Sequence, residues 1–80
     1  MLITHETKVF GRCPVDGKVD SYDVTITTRR FIKVEDILAT IDEIQSPVFQ
    51  EAMTQLLADK LGCNVRSVGY HTGVKTTCEV

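Results

Sequence analysis

Eighty residues leave room for one folded core, because domains usually need about 50–250 residues, so a two-domain enzyme is excluded and residues 1–80 read as a single domain. Eleven acidic against nine basic side chains give a net charge of -2, the wrong sign for a protein whose main task is gripping a phosphate backbone. No run approaches the ~20 apolar residues of a membrane span, and Met1-Leu2-Ile3-Thr4-His5-Glu6 lacks the basic and apolar regions of a secretion signal; a cytoplasmic protein with no membrane partner is expected.

The apolar fraction of 42% supports a globule, and with no Trp, three Phe and two Tyr its core is expected to be aliphatic. A chain this short buries only roughly 60–65% of its unfolded surface and is marginal alone. Cys13, Cys63 and Cys78 are an odd number without an export signal, so free thiols are expected and oligomerisation is the anticipated support.

Leu2 to Phe10 is a strand of mixed polarity. Pro14 and the Asp16-Gly17 pair then break it, since proline fixes φ and Asp-Gly readily takes positive φ in a tight turn. Beyond the turn Tyr22, Val24 and Ile26 alternate with Asp23, Thr25 and Thr27, the period of a strand with one buried face, which completes a β-hairpin. From Val34 the period lengthens: Val34, Ile37, Leu38, Ile41 and Ile44 form one helical stripe, with Glu35 and Asp36 favouring the N-terminal dipole.

Ser46-Pro47 reads as an N-cap with proline at the first helical position, and Phe49, Ala52, Met53, Leu56, Leu57 and Leu61 continue a second apolar stripe up to a left-handed cap at Gly62. Asn64 to Val80, rich in Val and Thr and interrupted at Tyr70-His71-Thr72-Gly73, gives two short strands. The order is ββααββ, an α+β arrangement with two helices on one face of a four-stranded antiparallel sheet. The other face is either polar or covered by another subunit.

The hairpin turn should bring the Cys13 thiol and the Asp20 carboxylate to the same end of the sheet, with Arg12 and Lys18 alongside. Spacing alone leaves two readings open: a nucleophile with its acid or base, or a small half-buried cysteine in a turn stabilised by an aspartate. The cluster Arg29, Arg30, Lys33 is either a solvated strand end or a phosphate contact. Cys13, Cys63, Cys78, His5 and His71 show neither Cys-x-x-Cys nor paired-His spacing, so no metal centre is expected.

Cys13-Pro14-x-x-Gly17-x-x-Asp20 resembles the active-site turn of the 7-cyano-7-deazaguanine (preQ0) nitrile reductases and their relatives, the QueF-like amidinotransferases. The resemblance extends to Phe49-Gln50-Glu51, where the family has His-Glu, and to Gly69-Tyr70-His71-Thr72-Gly73-Val74 at the last hairpin. It implies the tunnelling fold, whose ββααββ units assemble into an oligomeric barrel with sites between subunits. It also implies that Cys13 attacks the nitrile carbon to give a thioimide, that Asp20 moves protons, and that Glu51 anchors the guanine-like edge.

The family's histidine is Gln50 here, which cannot carry a proton at neutral pH, and His71 is the residue that could relay one instead. Reductases carry lysines at the first helix where this chain has Glu35 and Asp36, which would repel a dinucleotide phosphate. The expected activity is therefore amidinotransfer with ammonia and no cofactor, on the base free or in tRNA or DNA. An NADPH-dependent reductase and a non-catalytic oligomeric module in which Cys13 is incidental are the alternatives.

Overall fold

The computed structural model of the chain describes residues 1–44 and 48–80. Strands β1 (Ile3–Arg12) and β2 (Val19–Thr28) form the first hairpin, helices α1 (Val34–Glu43) and α2 (Gln50–Leu61) follow, and β3 (Asn64–His71) and β4 (Val74–Glu79) form the second hairpin. All four strands join in one antiparallel sheet ordered β1-β2-β3-β4. The ββααββ order and the α+β architecture agree with the sequence reading. No helix among the described residues is long and apolar enough to cross a membrane.

Register decides which side chains share the covered face. Val9 lies opposite Tyr22, Thr7 opposite Val24 and His5 opposite Ile26 across β1 and β2. Ile26 in turn faces Val65, Val24 faces Ser67 and Tyr22 faces Gly69 across β2 and β3. Val24, Ile26 and Val65 are buried with Ile37 of α1 and Met53, Leu57 and Leu61 of α2 in one aliphatic core. The residues between them, including Glu6, Lys8, Asp23, Thr25, Arg66 and Thr77, are on the opposite face, which is mainly polar and carries a Lys8–Asp23 ion pair of 2.9 Å. Of the two options for that face, polarity is the one realised within the chain.

Helix α2 departs from the expected stripe. Its buried residues are Gln50, Met53, Thr54, Leu57, Ala58 and Leu61, whereas Phe49, Ala52 and Leu56 face outward. The reason is polar: Thr54 Oγ1 donates to the Gln50 carbonyl at 2.7 Å and lies 2.6 Å from Ser67 Oγ, so two hydroxyls satisfy one another under the helix. A small, hydrogen-bonding stretch of β3 thus draws the polar side of α2 inward. The helix starts at Gln50 with Phe49 at the N-cap position, and the proposed cap at Ser46-Pro47 lies outside the described residues.

Gly62 closes α2 in the left-handed region (φ 64°), as anticipated, with its N–H on the Ala58 carbonyl at 2.8 Å. The Arg30 guanidinium donates to the Leu61 carbonyl at the same terminus, so Arg30 caps a helix rather than standing free in a basic cluster. In α1 Ile37 is the buried residue; Ile41 and, just beyond the helix, Ile44 pack partly, and Val34 and Leu38 are exposed. The second hairpin turns tightly, with positive φ at Thr72 (51°) and Gly73 (82°), a conformation whose twist suits antiparallel strands. β3 therefore runs through Tyr70 and His71 instead of breaking before them.

Candidate active site

Three pieces of chain meet at one end of the covered face: the β1–β2 turn, the first turn of α2, and the end of β3. The β1–β2 turn is closed by its own backbone, with Cys13 N–H on the Lys18 carbonyl and Gly17 N–H on the Cys13 carbonyl, both 2.9 Å. Asp16 Oδ1 accepts the Lys18 N–H at 2.9 Å, and Arg12 donates to the Gly17 carbonyl at 3.0 Å. Val48 N–H reaches the Arg12 carbonyl at 3.3 Å and ties the approach to α2 against the end of β1.

Between these pieces is a cavity of about 320 Å³, within the ~300–1,000 Å³ usual for small-molecule sites. Its walls include all five residues singled out from the sequence: Cys13, Asp20, Gln50, Glu51 and His71. Cys13 is buried at 6% exposure, fixed by the turn that frames it. Asp20, opposite Gly11 in the register, keeps only 16% of its side-chain surface in water, and its Oδ2 lies 3.9 Å from His71 Nδ1. His71 is half exposed at the mouth, so a solvent-connected imidazole stands beside a sheltered carboxylate. Glu51 is exposed on the rim.

Gln50 is more constrained than its type suggests. Its amide nitrogen is within donor distance of the Ser67 carbonyl (3.3 Å), Ser67 Oγ (3.1 Å) and the Thr76 carbonyl (3.0 Å). Carbonyls only accept, so the NH2 must point to them, and the side chain has only its carbonyl oxygen left for a ligand. Gln50 can accept a hydrogen bond from a bound molecule but has no donor to spare.

Sequence reading missed three residues. Tyr22, also in the wall, sends its OH towards Asp20 Oδ2 at 3.5 Å; burial first, and then the Asp20 carboxylate, push its phenol above the ordinary value. Strand alternation could have found it, two residues beyond Asp20 on the same face. Gly69 gives that ring its place, because a Cβ there would lie 2.5 Å from Tyr22 Cδ1. Only the cross-strand register reveals this. Asp16 is the third: the Lys18 N–H, with a further contribution from the Cys13 thiol, holds its carboxyl below the ordinary value.

All three cysteines are free thiols. Burial pushes the thiols of Cys63 and Cys78 up, and neither lines the cavity. Cys78 belongs to β4, and Cys63 precedes β3 and packs against the core. His5 is eight positions before Cys13 along an extended strand, about 26 Å away, and takes no part. The Cys13 sulfur, an Asp16 carboxylate oxygen and a His71 nitrogen, by contrast, lie within 4.8 Å of one another, a grouping made by two turns and invisible to a linear spacing rule.

No protein-family profile and no curated protein matches the chain. Among solved structures it is similar to the crystal structure of the archaeosine synthase QueF-Like in the apo form, with a TM-score of 0.88 over 99% of this chain and 90% of that one, at 18% sequence identity. The described strands and helices and this superposition establish the architecture: the chain has the ββααββ tunnelling fold of that synthase.

Proposed function

We propose that the protein is a QueF-like amidinotransferase that converts the nitrile of 7-cyano-7-deazaguanine, free or within a nucleic acid, to a formamidine. The observation that carries this reading is the buried Cys13 sharing a purine-sized hollow with Asp20 and His71, on the fold of an archaeosine synthase.

The Cys13 thiol gives its proton to Asp20 as its sulfur adds to the linear, electrophilic nitrile carbon, forming the S–C bond while one C–N π bond opens, and Asp20 passes that proton to the nitrogen. Ammonia then adds to the thioimide carbon. Collapse of the tetrahedral adduct breaks the S–C bond, returns the electron pair to sulfur and leaves the amidine. His71, half exposed with Nδ1 3.9 Å from Asp20 Oδ2, is the group placed to exchange protons between that carboxyl and solvent, a task Gln50 cannot perform. Glu51, on the exposed rim, and the Gln50 carbonyl accept the N–H groups of the guanine-like edge.

No cofactor enters this scheme, and Glu35 and Asp36 in the first turn of α1 favour it over NADPH-dependent reduction. The unpaired outer edges of β1 and β4, with exposed Phe31, Val34 and Leu38, support assembly of several copies into a barrel. Arg29 and Lys33 remain exposed for a nucleic-acid backbone, while Arg30 is engaged at α2.

Intact mass spectrometry with 7-cyano-7-deazaguanine is the test. A covalent adduct equal to the mass of the base, absent in Cys13→Ala, is expected; an ammonium salt should then release the amidine. An amine formed with NADPH would establish the reductase instead, and no adduct would leave an oligomeric module in which Cys13 is incidental.

A further inference from the structure

We propose that Cys13, Asp16 and His71 together bind a soft divalent cation of the Zn²⁺ class, which caps the cavity thiol and reversibly blocks it. A thiolate sulfur, a carboxylate oxygen and an imidazole nitrogen are the donor types that Zn²⁺ prefers, and here the three atoms lie within 4.8 Å of one another. A tetrahedral ion with Zn–S of about 2.3 Å and Zn–N or Zn–O of about 2.0–2.1 Å places its ligand atoms about 3.4–3.6 Å apart, so closure asks for shifts of about 1 Å.

The structure allows that shift where it is needed. Cys13 is held in the closed turn, whereas the Asp16 side chain is exposed and His71 keeps 52% of its side-chain surface in water. Asp16 spends one acceptor position on the Lys18 N–H, and its contact with the Cys13 thiol is the one that loss of the thiol proton to a metal would free. Asp20 Oδ2 lies 3.9 Å from His71 Nδ1, beyond hydrogen-bond distance, so a small ring rotation is needed before that carboxylate could orient a metal-bound imidazole. Lys18 and Arg12 belong to the same turn, and the Arg12 guanidinium is directed at the Gly17 carbonyl.

Binding exchanges the thiol proton for the metal: the S–H bond breaks, the S–Zn bond forms, the proton leaves to solvent, and nothing is oxidised or reduced. Three protein ligands leave a fourth position open, unlike the closed set of a structural zinc site. Mg²⁺ and Ca²⁺, which take oxygen ligands, should not compete.

This inference rests on the cluster alone and not on nitrile chemistry, so the test uses metal without substrate. The full chain, freed of metal by a chelator, is titrated with ZnCl2 or MgCl2, and alkylation of each cysteine by iodoacetamide is followed by peptide mass. Zn²⁺ is expected to bind one per chain and slow Cys13 alkylation at least about tenfold, with Cys63 and Cys78 unaffected and Mg²⁺ inert; Asp16→Asn and His71→Asn should each weaken binding by at least about 10–100-fold. Both substitutions are at exposed positions, and asparagine at 16 keeps an oxygen for Lys18, so the fold survives them. Absence of Zn²⁺ binding, equal protection of all three cysteines, or unchanged affinity in both variants would overturn the site. Adduct formation in zinc-free buffer reports separately on the proposed function.

Discussion

The two ends of the covered sheet face are built on the same strands and under the same helix, yet only one is solid. At the far end Ile26, Val65, Met53 and Leu57 are fully excluded from water. At the other end, one to two turns nearer the start of α2, Gln50 presents an amide where Met53 and Leu57 present hydrocarbon, and Gly69 presents no side chain. Tyr22 fills part of the gap and the rest stays open as the cavity. The hollow exists because hydrogen bonds have replaced interdigitation at that end, which is how a small domain can hold a site without losing its core.

The sharpest way to break this comparison is to hollow out the solid end as well. Leu57→Ala should cost about 2–5 kcal/mol of stability, measured by urea unfolding, because the side chain is wholly enclosed and the sheet cannot collapse onto the space. A loss below about 1 kcal/mol would mean that this end is as loosely filled as the cavity.

The converse experiment fills the open end. Gly69→Ala puts a Cβ within 2.5 and 2.8 Å of two Tyr22 ring atoms and should cost about 1–3 kcal/mol, since the ring must leave its place over β3. The same substitution in a Tyr22→Leu background should be milder, and a double-mutant cycle reads the difference. Additive effects would show that the glycine serves some purpose other than seating the ring. Gln50→Leu should lose about 1–3 kcal/mol, because it removes the donor shared by the Ser67 and Thr76 carbonyls.

The same contrast explains what could be read from the sequence. The solid end was legible, because alternation in β2 and the helical period of Met53, Leu57 and Leu61 report burial directly. Cys13 and Asp20 were legible as a pair, since a hairpin turn fixes their juxtaposition. The polar side of α2 was not: Gln50 and Thr54 look solvent-facing until Ser67 is known to be beneath them. Nor were Gly69 or the approach of Asp16 and His71 to Cys13, which depend on register and on how two hairpin turns converge. The role of Arg30 within the basic cluster was open for the same reason, because only the docking of α2 shows it at that helix's C-terminus.

The smallest effect probes the boundary between the two ends, where Tyr22 touches both core and cavity. Its OH is 3.5 Å from Asp20 Oδ2, a long contact, so Tyr22→Phe should change stability at neutral pH by less than about 1 kcal/mol. The difference emerges in alkali. Burial and the Asp20 carboxylate raise the folded phenol above its ordinary value of 10.0, so the unfolded chain releases this proton first. The wild-type protein therefore keeps the full contribution below about pH 10 and loses it as pH rises towards the folded pKa. Phenylalanine has no such proton to lose, while every other side chain is common to both proteins. Urea midpoints measured up to about pH 11 should fall more steeply for wild type than for Tyr22→Phe. Parallel curves would mean that the phenol is as free to ionise as in the unfolded chain, and that the wall of the cavity is open to water behind the ring.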